Sequence, residues 1–159
     1  LSIGRHIERM CFFVPALQTA FDTGAVLDDD GFEALVALFD STITFRSRYQ
    51  QNRDVAALLD MVVIDQDNPR SIGWAARTLR GRLAKLAGSP QGALDDLALK
   101  VPDPAQWQLA QLCATSEDGS HQALMTTLAE CQAAAWQVSD DISLRYFTHT
   151  DEAGQSLGA

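Results

Sequence analysis

Basic residues are scarce in the second half of the sequence, and this scarcity limits the partners that the chain can have. Residues 86–159 contain two Lys or Arg and ten Asp or Glu, a balance of −8, whereas residues 1–85 balance at −1. The whole chain carries a formal charge of −9. Because so acidic a half repels a phosphate backbone, we expect no binding to nucleic acid.

Long hydrophobic runs are also missing. No apolar segment approaches the length of a membrane span, and no basic amphipathic stripe indicates a helix at a membrane surface. No signal peptide is visible, and position 1 is Leu rather than Met, so the chain looks cut or processed from a longer one. We expect a cytoplasmic protein with no membrane partner, and the sequence leaves its oligomeric state open.

Several familiar chemical motifs are absent. The three cysteines form no C-x-x-C pair, and their odd number argues against a disulfide framework, so buried free thiols are expected. The histidines lack the spacing of metal ligands. There is no glycine-rich phosphate loop, no G-x-S-x-G and no H-E-x-x-H. The sequence therefore predicts neither a metal nor a cofactor, and it does not look like a self-sufficient enzyme of a familiar kind.

What the sequence does contain is helical periodicity. Ala and Leu dominate, apolar residues recur at steps of three and four, and no alternating strand pattern is found. The sequence predicts an all-α fold, a single bundle of about six mostly antiparallel helices over residues 1–150, with a flexible tail at 151–159. The predicted helices cover about 1–21, 28–50, 52–62, 68–86, 105–116 and 120–149, with a short helix or ordered loop within 91–104.

The stretch VIDQDNPRS (Val63–Ser71) connects the third and fourth predicted helices. Asn68 stands where an N-cap is expected, and Pro69 stands at the first helical position, where its missing N–H costs nothing. Arg70 is not needed for such a connection. Its role, within the fold or towards a ligand, is the question that the stretch raises.

Polar side chains interrupt the apolar helix faces in four segments: Gly4–Met10, Asp40–Tyr49, Asp65–Ser71 and Ile142–His149. They supply the candidate residues of a binding site or structural polar network, which are Arg5, Glu8, Arg9, Asp40, Thr44, Arg46, Arg48, Tyr49, Asp65, Asn68, Arg70, Ser71 and His149.

The functional interpretation joins the segments into an anion site. The planar guanidinium group binds phosphate or carboxylate with two hydrogen bonds, and a helix that begins at Pro69 adds free N–H donors. Four arginines are candidates for this clamp, namely Arg9, Arg46, Arg48 and Arg70. The candidate general bases are Glu8, Asp65 and His149.

The structural interpretation is simpler, and periodicity alone favours it. Charged groups on inner helix faces pair with one another, and an arginine can satisfy the free carbonyls of a helix end. Glu8 with Arg48 or Arg70 would then form a buried ion pair that fixes the register of the helices.

Taken together, three motifs resemble the bacterial alpha-E domain family. They are G-R-x-x-E-R, then D-S-x-x-T-F-R-x-R-Y, then L-L followed by D-x-x-N-P-R-S. That family is a predicted all-helical domain of unknown function named for an E-R motif, which Glu8-Arg9 matches here. The resemblance covers Gly4 to about Leu86, and residues 146–149 are similar to the closing segment of the family. Phe45 departs from the pattern, where Tyr is usual, and residues 61–63 stretch a Leu-rich turn.

The resemblance also implies a context. Family members look longer, and this chain resembles their second half or a fused C-terminal domain. Alpha-E proteins look linked to a circularly permuted ATP-grasp protein and to a transglutaminase-like peptidase. The implied role is that of a helical accessory domain, in a system that forms or edits peptide bonds, that helps to bind a substrate or a partner. The alternative is a catalytic domain of uncharacterised chemistry with Glu8 as base and an arginine anion pocket.

Overall fold

The computed structural model describes residues 2–50, 52–88 and 96–147, and this part of the chain is helical with no strand. The all-α prediction is confirmed, but the described residues form eight α-helices rather than about six. These are α1 (Ser2–Asp22), α2 (Asp29–Leu38), α3 (Thr42–Tyr49), α4 (Val55–Leu59), α5 (Ile72–Leu86), α6 (Asp96–Lys100), α7 (Leu109–Cys113) and α8 (Gln122–Tyr146). The predicted tail at 151–159 and the candidate His149 lie outside the described residues.

The extra helices arise partly because the predicted helix over residues 28–50 is divided in two. Asp40 has a φ of 49°, in the left-handed region that ends a helix. The N–H groups of Asp40 and Ser41 donate to Ala37 and Val36 carbonyls at 2.8 and 3.0 Å, and the Ser41 hydroxyl donates to the Phe39 carbonyl at 2.9 Å. Short polar side chains therefore satisfy the backbone locally and compete with a continuous helix. The helical spacing of apolar residues continues across this break, so it cannot be recognised from the sequence pattern.

Helix α1 runs antiparallel to both α5 and α8. At its C-terminal end, the Phe21 ring meets the His121 ring edge to face, with the centroids 5.0 Å apart, directly before α8 begins. At its N-terminal end, Ile3 lines a groove together with Leu86 of α5 and Tyr146 of α8. These three helices form the centre of the bundle.

One hydrophobic core lies between the three central helices and extends under α2, α4 and α6. Its apolar side chains are removed from water, which is the main source of stability in such a bundle. Fully buried members include Val14, Leu17, Phe39, Leu58, Leu79, Leu83, Leu97, Leu124, Leu128 and Cys131. Cys131 is buried, whereas Cys11 and Cys113 are half-buried, and all three are free thiols. No helix within the described ranges combines the length and the hydropathy that crossing a bilayer requires.

Candidate functional site

The segment Asp65–Ser71, which we call the polar turn, follows a π-helical continuation of α4. This continuation, the π turn (Asp60–Ile64), ends where the N–H of Asp65 donates to the Asp60 carbonyl at 2.8 Å. Wide helical turns of this kind often occur at functional sites. The polar turn lies directly beyond it and before the start of α5.

Asn68 links the polar turn to the π turn from within. Its side chain is buried, and its amide donates to the Met61 carbonyl at 3.0 Å. Its amide oxygen accepts from the N–H of Arg70 at 3.1 Å. The amide thus satisfies a carbonyl of the π turn, where the regular helical hydrogen bonds have ended.

The prediction that Asn68 caps α5 with Pro69 as the first helical residue is wrong. Helix α5 begins at Ile72, and its N-cap is Ser71, whose hydroxyl oxygen accepts from the N–H of Trp74 at 2.9 Å. The Ser71 hydroxyl also donates to the Asp65 carbonyl. Both Asn and Ser are good N-cap residues. Ser71 caps α5 because the Asn68 amide is already hydrogen-bonded to the Met61 carbonyl.

Asp65 anchors the outer side of the polar turn to α3. One carboxylate oxygen accepts from Arg48 at 2.6 Å, and the other accepts from the N–H of Asp67 at 2.9 Å. Partial burial acts to raise the pKa of the Asp65 carboxyl, but the hydrogen bonds from Arg48 and Asp67 outweigh it, and the net pKa lies below its ordinary value. An ionised carboxylate held in this way is suited to a structural role.

Arg70 reaches in the opposite direction, to the break between α2 and α3. Its Nε and Nη2 atoms donate to one carboxylate oxygen of Asp40 at 2.8 and 2.6 Å. Arg9 of α1 donates to the Pro69 carbonyl, and its guanidinium lies 5.7 Å from the ring centroid of Trp74. The polar turn is therefore tied to α1, α3 and the α2–α3 break at the same time.

We expect Arg70→Ala to lower the free energy of unfolding by only about 0.5–1 kcal/mol, because ion pairs in water contribute little. The side chains of Arg70 and Asp40 are 46% and 81% exposed, so solvent screens their attraction. Chemical denaturation of the variant beside the parent measures the difference. Arg77→Ala is the control, since its pair with Asp67 is equally exposed and longer, at 3.6 Å. A loss of about 3 kcal/mol, typical of a broken buried pair, would contradict the exposed geometry.

Tyr49 extends the same network at the end of α3. Its hydroxyl donates to a carboxylate oxygen of Asp60, at the beginning of the π turn. Burial, together with this hydrogen bond to a carboxylate, raises the pKa of Tyr49 to about 12. The phenol therefore stays protonated and connects α3 to the π turn.

Two expectations about the charged set are wrong. Arg9, Arg46, Arg48 and Arg70 do not converge on one anion, because Arg48 and Arg70 turn to different carboxylates and Arg9 turns to a carbonyl. Glu8 does not pair with Arg48 or Arg70. It is exposed on α1 and forms no ion pair within the described ranges.

Arg46 and Thr44 lie apart from the polar turn. Arg46 lines a cleft of about 690 Å³ between α2 and α3, together with Phe32 and Phe45. At the rim of this cleft, Arg53 forms ion pairs with carboxylates of α2. Thr44 is half-buried on α3 and makes no side-chain hydrogen bond within the part that the structure describes.

Glu8 and Arg5 instead border a second concavity, which we call the α1–α8 groove. It has a volume of about 640 Å³ and lies between the N-terminal half of α1 and the C-terminal half of α8, and Leu86 of α5 contributes to its lining. Its lining is mainly apolar, with hydroxyl groups on one side, and consists of Ile3, Gly4, Arg5, Ile7, Glu8, Leu86, Ser139, Ile142, Ser143, Tyr146 and Phe147.

A third polar group, which sequence reasoning missed, lies between α1 and α5. The His6 ring meets the Trp74 ring edge to face at 5.2 Å, on the same aromatic ring that Arg9 approaches. Burial lowers the pKa of His6, and the charges of Arg82, Arg9 and Arg5 lower it further. We call these residues the α1–α5 basic cluster: Arg5, His6, Arg9, Trp74 and Arg82. The repeated four-residue spacing, Arg5 to Arg9 and Trp74 to Thr78 to Arg82, was the available signal.

Among residues 2–50, 52–88 and 96–147, no three His, Cys, Asp or Glu side chains come together in a way that could hold a metal ion. The polar turn, the α1–α8 groove and the α1–α5 basic cluster are three features in which candidate residues lie close to other elements of the fold. The G-R-x-x-E-R segment on α1 takes part in all three. It supplies Arg9 to the polar turn, Arg5 and Glu8 to the groove, and Arg5, His6 and Arg9 to the cluster.

Comparison of the sequence with known proteins identifies its family. A family model described as a predicted alpha-helical domain with a conserved ER motif, Alpha-E, matches residues 1–147. The chain belongs to the Alpha-E family. Similar curated relatives of this Alpha-E chain are uncharacterised proteins of Mycobacterium bovis and of two strains of Mycobacterium tuberculosis, each 26% identical over 147 residues.

The match to these relatives covers 88% of this Alpha-E chain but only 16% of their length. The mycobacterial proteins are thus much longer than the domain described here. No solved structure shows significant similarity to the chain.

Proposed function

We propose that this Alpha-E domain is a helical docking module of a cytoplasmic, ATP-grasp-linked system that forms or edits peptide bonds. In this role it holds an ATP-grasp module, and through it the peptidic substrate, rather than carrying out the reaction itself. The α1–α8 groove is the observation that carries the proposal. ATP-grasp enzymes consume ATP, which is why we place the system in the cytoplasm.

The α1–α8 groove has the properties of a docking surface. Its lining is largely apolar, and Leu86, Tyr146 and Phe147 at its edge are 41%, 49% and 70% exposed. Scattered exposed apolar residues are normal on a protein, whereas a contiguous exposed patch bordered by polar groups is typical of an interaction site. Arg5 and Glu8 supply one charge of each sign at the border.

The proposed occupant is an apolar helix or loop of the ATP-grasp module. In the mycobacterial relatives, the matched region is 16% of the protein, so the domain shares its polypeptide with much additional chain. A domain that works together with additional protein domains needs a surface that binds them. The resemblance of the E-R, D-S and N-P-R-S motifs supports an ATP-grasp partner as the source of that surface.

A catalytic role for the same residues has less support from the geometry. Glu8 lies at the border of the α1–α8 groove, whereas Asp65 is held by Arg48 in the polar turn. Of the supposed anion clamp, Arg9, Arg48 and Arg70 have partners around the polar turn. Arg46 lines the cleft between α2 and α3, so none of the four borders the groove with Glu8. A general base and an anion clamp that act on one substrate must lie within hydrogen-bond reach of it.

Binding of the purified chain to an ATP-grasp protein from the same organism, followed by calorimetry, tests the proposal. We expect Tyr146→Ala combined with Phe147→Ala to weaken binding about tenfold or more, as loss of aromatic contacts at an interface does. Ile43→Ala is the control, since Ile43 is 87% exposed on α3, far along the chain from the groove.

Either a failed binding test or catalysis by the domain alone would overturn this function. One is binding that the groove variant leaves unchanged, or no binding by the parent. The other is turnover of a peptidic substrate by the domain alone that Glu8→Gln abolishes while the fold stays intact, which would establish the catalytic alternative.

A further inference from the structure

The cleft between α2 and α3, which we call the α2–α3 cleft, plays no part in the docking function. Its volume of about 690 Å³ lies within the range of small-ligand pockets. Helix α2 contributes Glu33 and Ala37 to the lining, and α3 contributes Thr42 and Arg46. Because residues four apart lie on one face of a helix, each wall of the cleft is a single helix face.

The break between α2 and α3 separates these two walls. Asp40, with its φ of 49°, ends α2, and α3 begins at Thr42. The floor of the cleft is apolar, since the Phe32 and Phe45 rings line it and meet edge to face, with their centroids 5.4 Å apart. Both rings are buried, so the floor is fixed by the hydrophobic core.

Arg53 also lines the cleft, and its guanidinium is already bound. It forms ion pairs with Asp29 at 2.7 Å and with Glu33 at 2.5 Å. We call Asp29, Glu33 and Arg53 the Arg53 trio. One positive charge meets two negative charges there, so the trio keeps one surplus negative charge. The Oε1 atom of Glu33 binds Arg53, and its other carboxylate oxygen makes no hydrogen bond within the described ranges. That oxygen can accept from a ligand.

Arg46, in contrast, is a guanidinium without a counter-charge. Ion pairs between described residues involve other basic side chains, namely Arg48, Arg53, Arg70, Arg77, Arg80 and Lys100. The exposed side chain of Arg46 makes no hydrogen bond in this part of the chain either. Its five N–H donors are therefore available, and a guanidinium binds a carboxylate with two of them.

We propose that the α2–α3 cleft binds a small zwitterion, with its carboxylate on Arg46 and its ammonium group on Glu33. Amino acids and short peptides have this chemistry. The unmatched positive charge of Arg46 and the surplus negative charge of the Arg53 trio match one charge of each sign on the ligand. A phosphate dianion fits less well, because its second charge would meet the surplus carboxylate. The apolar floor suits the carbon atoms between the two charged groups.

This inference goes beyond the docking function and is independent of it, because the cleft and the α1–α8 groove share no lining residue. Arg46→Gln should therefore bind the ATP-grasp protein as the parent does. Since Arg46 is exposed and has no ion pair within the described ranges, its replacement should also leave the unfolding midpoint unchanged. A failure of zwitterion binding would leave the docking proposal unaffected.

Titration with the dipeptide alanyl-leucine, followed by NMR of the backbone N–H signals of Ala37 and Thr42, tests the site. We expect saturable binding in the parent. Arg46→Gln should weaken it about fivefold to tenfold, because a charge-assisted pair of hydrogen bonds is lost at an exposed position. Arg77→Gln is the matched control, since it removes the same charge from another exposed position and should change affinity less than about twofold.

Alanyl-leucine amide, which lacks the carboxylate, completes a thermodynamic cycle. The parent should bind the amide about fivefold to tenfold more weakly than the acid. Arg46→Gln should bind the two almost equally, because the group that recognises the carboxylate is gone. Glu33→Gln, in which Asp29 still holds Arg53, should in the same way remove the preference for alanyl-leucine over its N-acetyl form.

The proposal is overturned if the parent shows no saturable response, or if Arg77→Gln weakens binding as much as Arg46→Gln, which would indicate only a diffuse charge effect. Equal binding of the acid and the amide by the parent would exclude the carboxylate contact, and equal binding of the N-acetyl form would exclude the ammonium contact. Leucine distinguishes the sources of the zwitterion. Binding at least as tight as that of the dipeptide indicates a free amino acid, weaker binding indicates a peptide, and both support the site.

Discussion

Replacing Gly73 by alanine is expected to destabilise the protein by about 2–4 kcal/mol, a large effect for the addition of one methyl group. A Cβ at this position would lie 2.5 Å from the Val63 carbonyl oxygen and 3.1 Å from that of Ile64. Both atoms belong to the backbone of the π turn, so no side chain can move aside. Helix α5 and the π turn would have to separate, and the polar turn between them would be distorted.

Gly81→Ala is the matched control for this prediction. Gly81 lies in the same helix and is exposed, and a Cβ there meets nothing within 4 Å. Because alanine is the better helix former, this change is expected to stabilise the protein by about 0.5–1 kcal/mol. Denaturant unfolding of both variants measures the contrast. Equal effects of the two substitutions would mean that α5 does not approach the π turn as closely as described.

Asn68→Ala is expected to cost about 2–3 kcal/mol, because it leaves two backbone groups without their partners. The Met61 carbonyl loses its donor, and the N–H of Arg70 loses its acceptor. The position is buried, so water cannot replace the amide without a rearrangement. The expected loss exceeds that of Arg70→Ala, although the arginine carries the charge.

Asn52→Ala tests whether this cost belongs to the buried position rather than to asparagine as such. Asn52 is exposed between α3 and α4, and its removal should change the free energy of unfolding by less than about 0.5 kcal/mol. Thermal or denaturant unfolding gives both values. If Asn68→Ala proved as mild as Asn52→Ala, the link between the polar turn and the π turn would not be a stabilising element.

The helical class of the domain follows from local pattern, and the bounds of its helices follow only in part. Apolar spacing predicts α1 and α8 nearly to their ends, because the helical periodicity of a long amphipathic helix repeats over many turns. The same spacing predicts one helix over residues 28–50, where Asp40 and Ser41 divide the chain. Apolar periodicity continues across the break, and only the backbone conformation at Asp40 reveals it.

The sequence proposed the candidate residues but not which of them interact. Eight of its thirteen predicted residues take part in the network around the polar turn: Arg9, Asp40, Arg48, Tyr49, Asp65, Asn68, Arg70 and Ser71. Their partners were not predictable, and neither was the cluster that includes His6, Trp74 and Arg82. His6 was considered only as a metal ligand, and neither Trp74 nor Arg82 was a candidate, because no local motif singles them out.

Features that depend on neighbouring residues can be predicted from the sequence, whereas contacts between residues far apart along the chain require the tertiary structure. Helix formation, capping candidates and the E-R, D-S and N-P-R-S motifs depend on neighbours a few residues apart, and sequence alone decides them. Which carboxylate each arginine meets depends on how helices pack, because Arg48 and Asp65 are 17 residues apart and Arg70 and Asp40 are 30 apart. Only the folded bundle pairs Arg70 with Asp40 and Arg48 with Asp65.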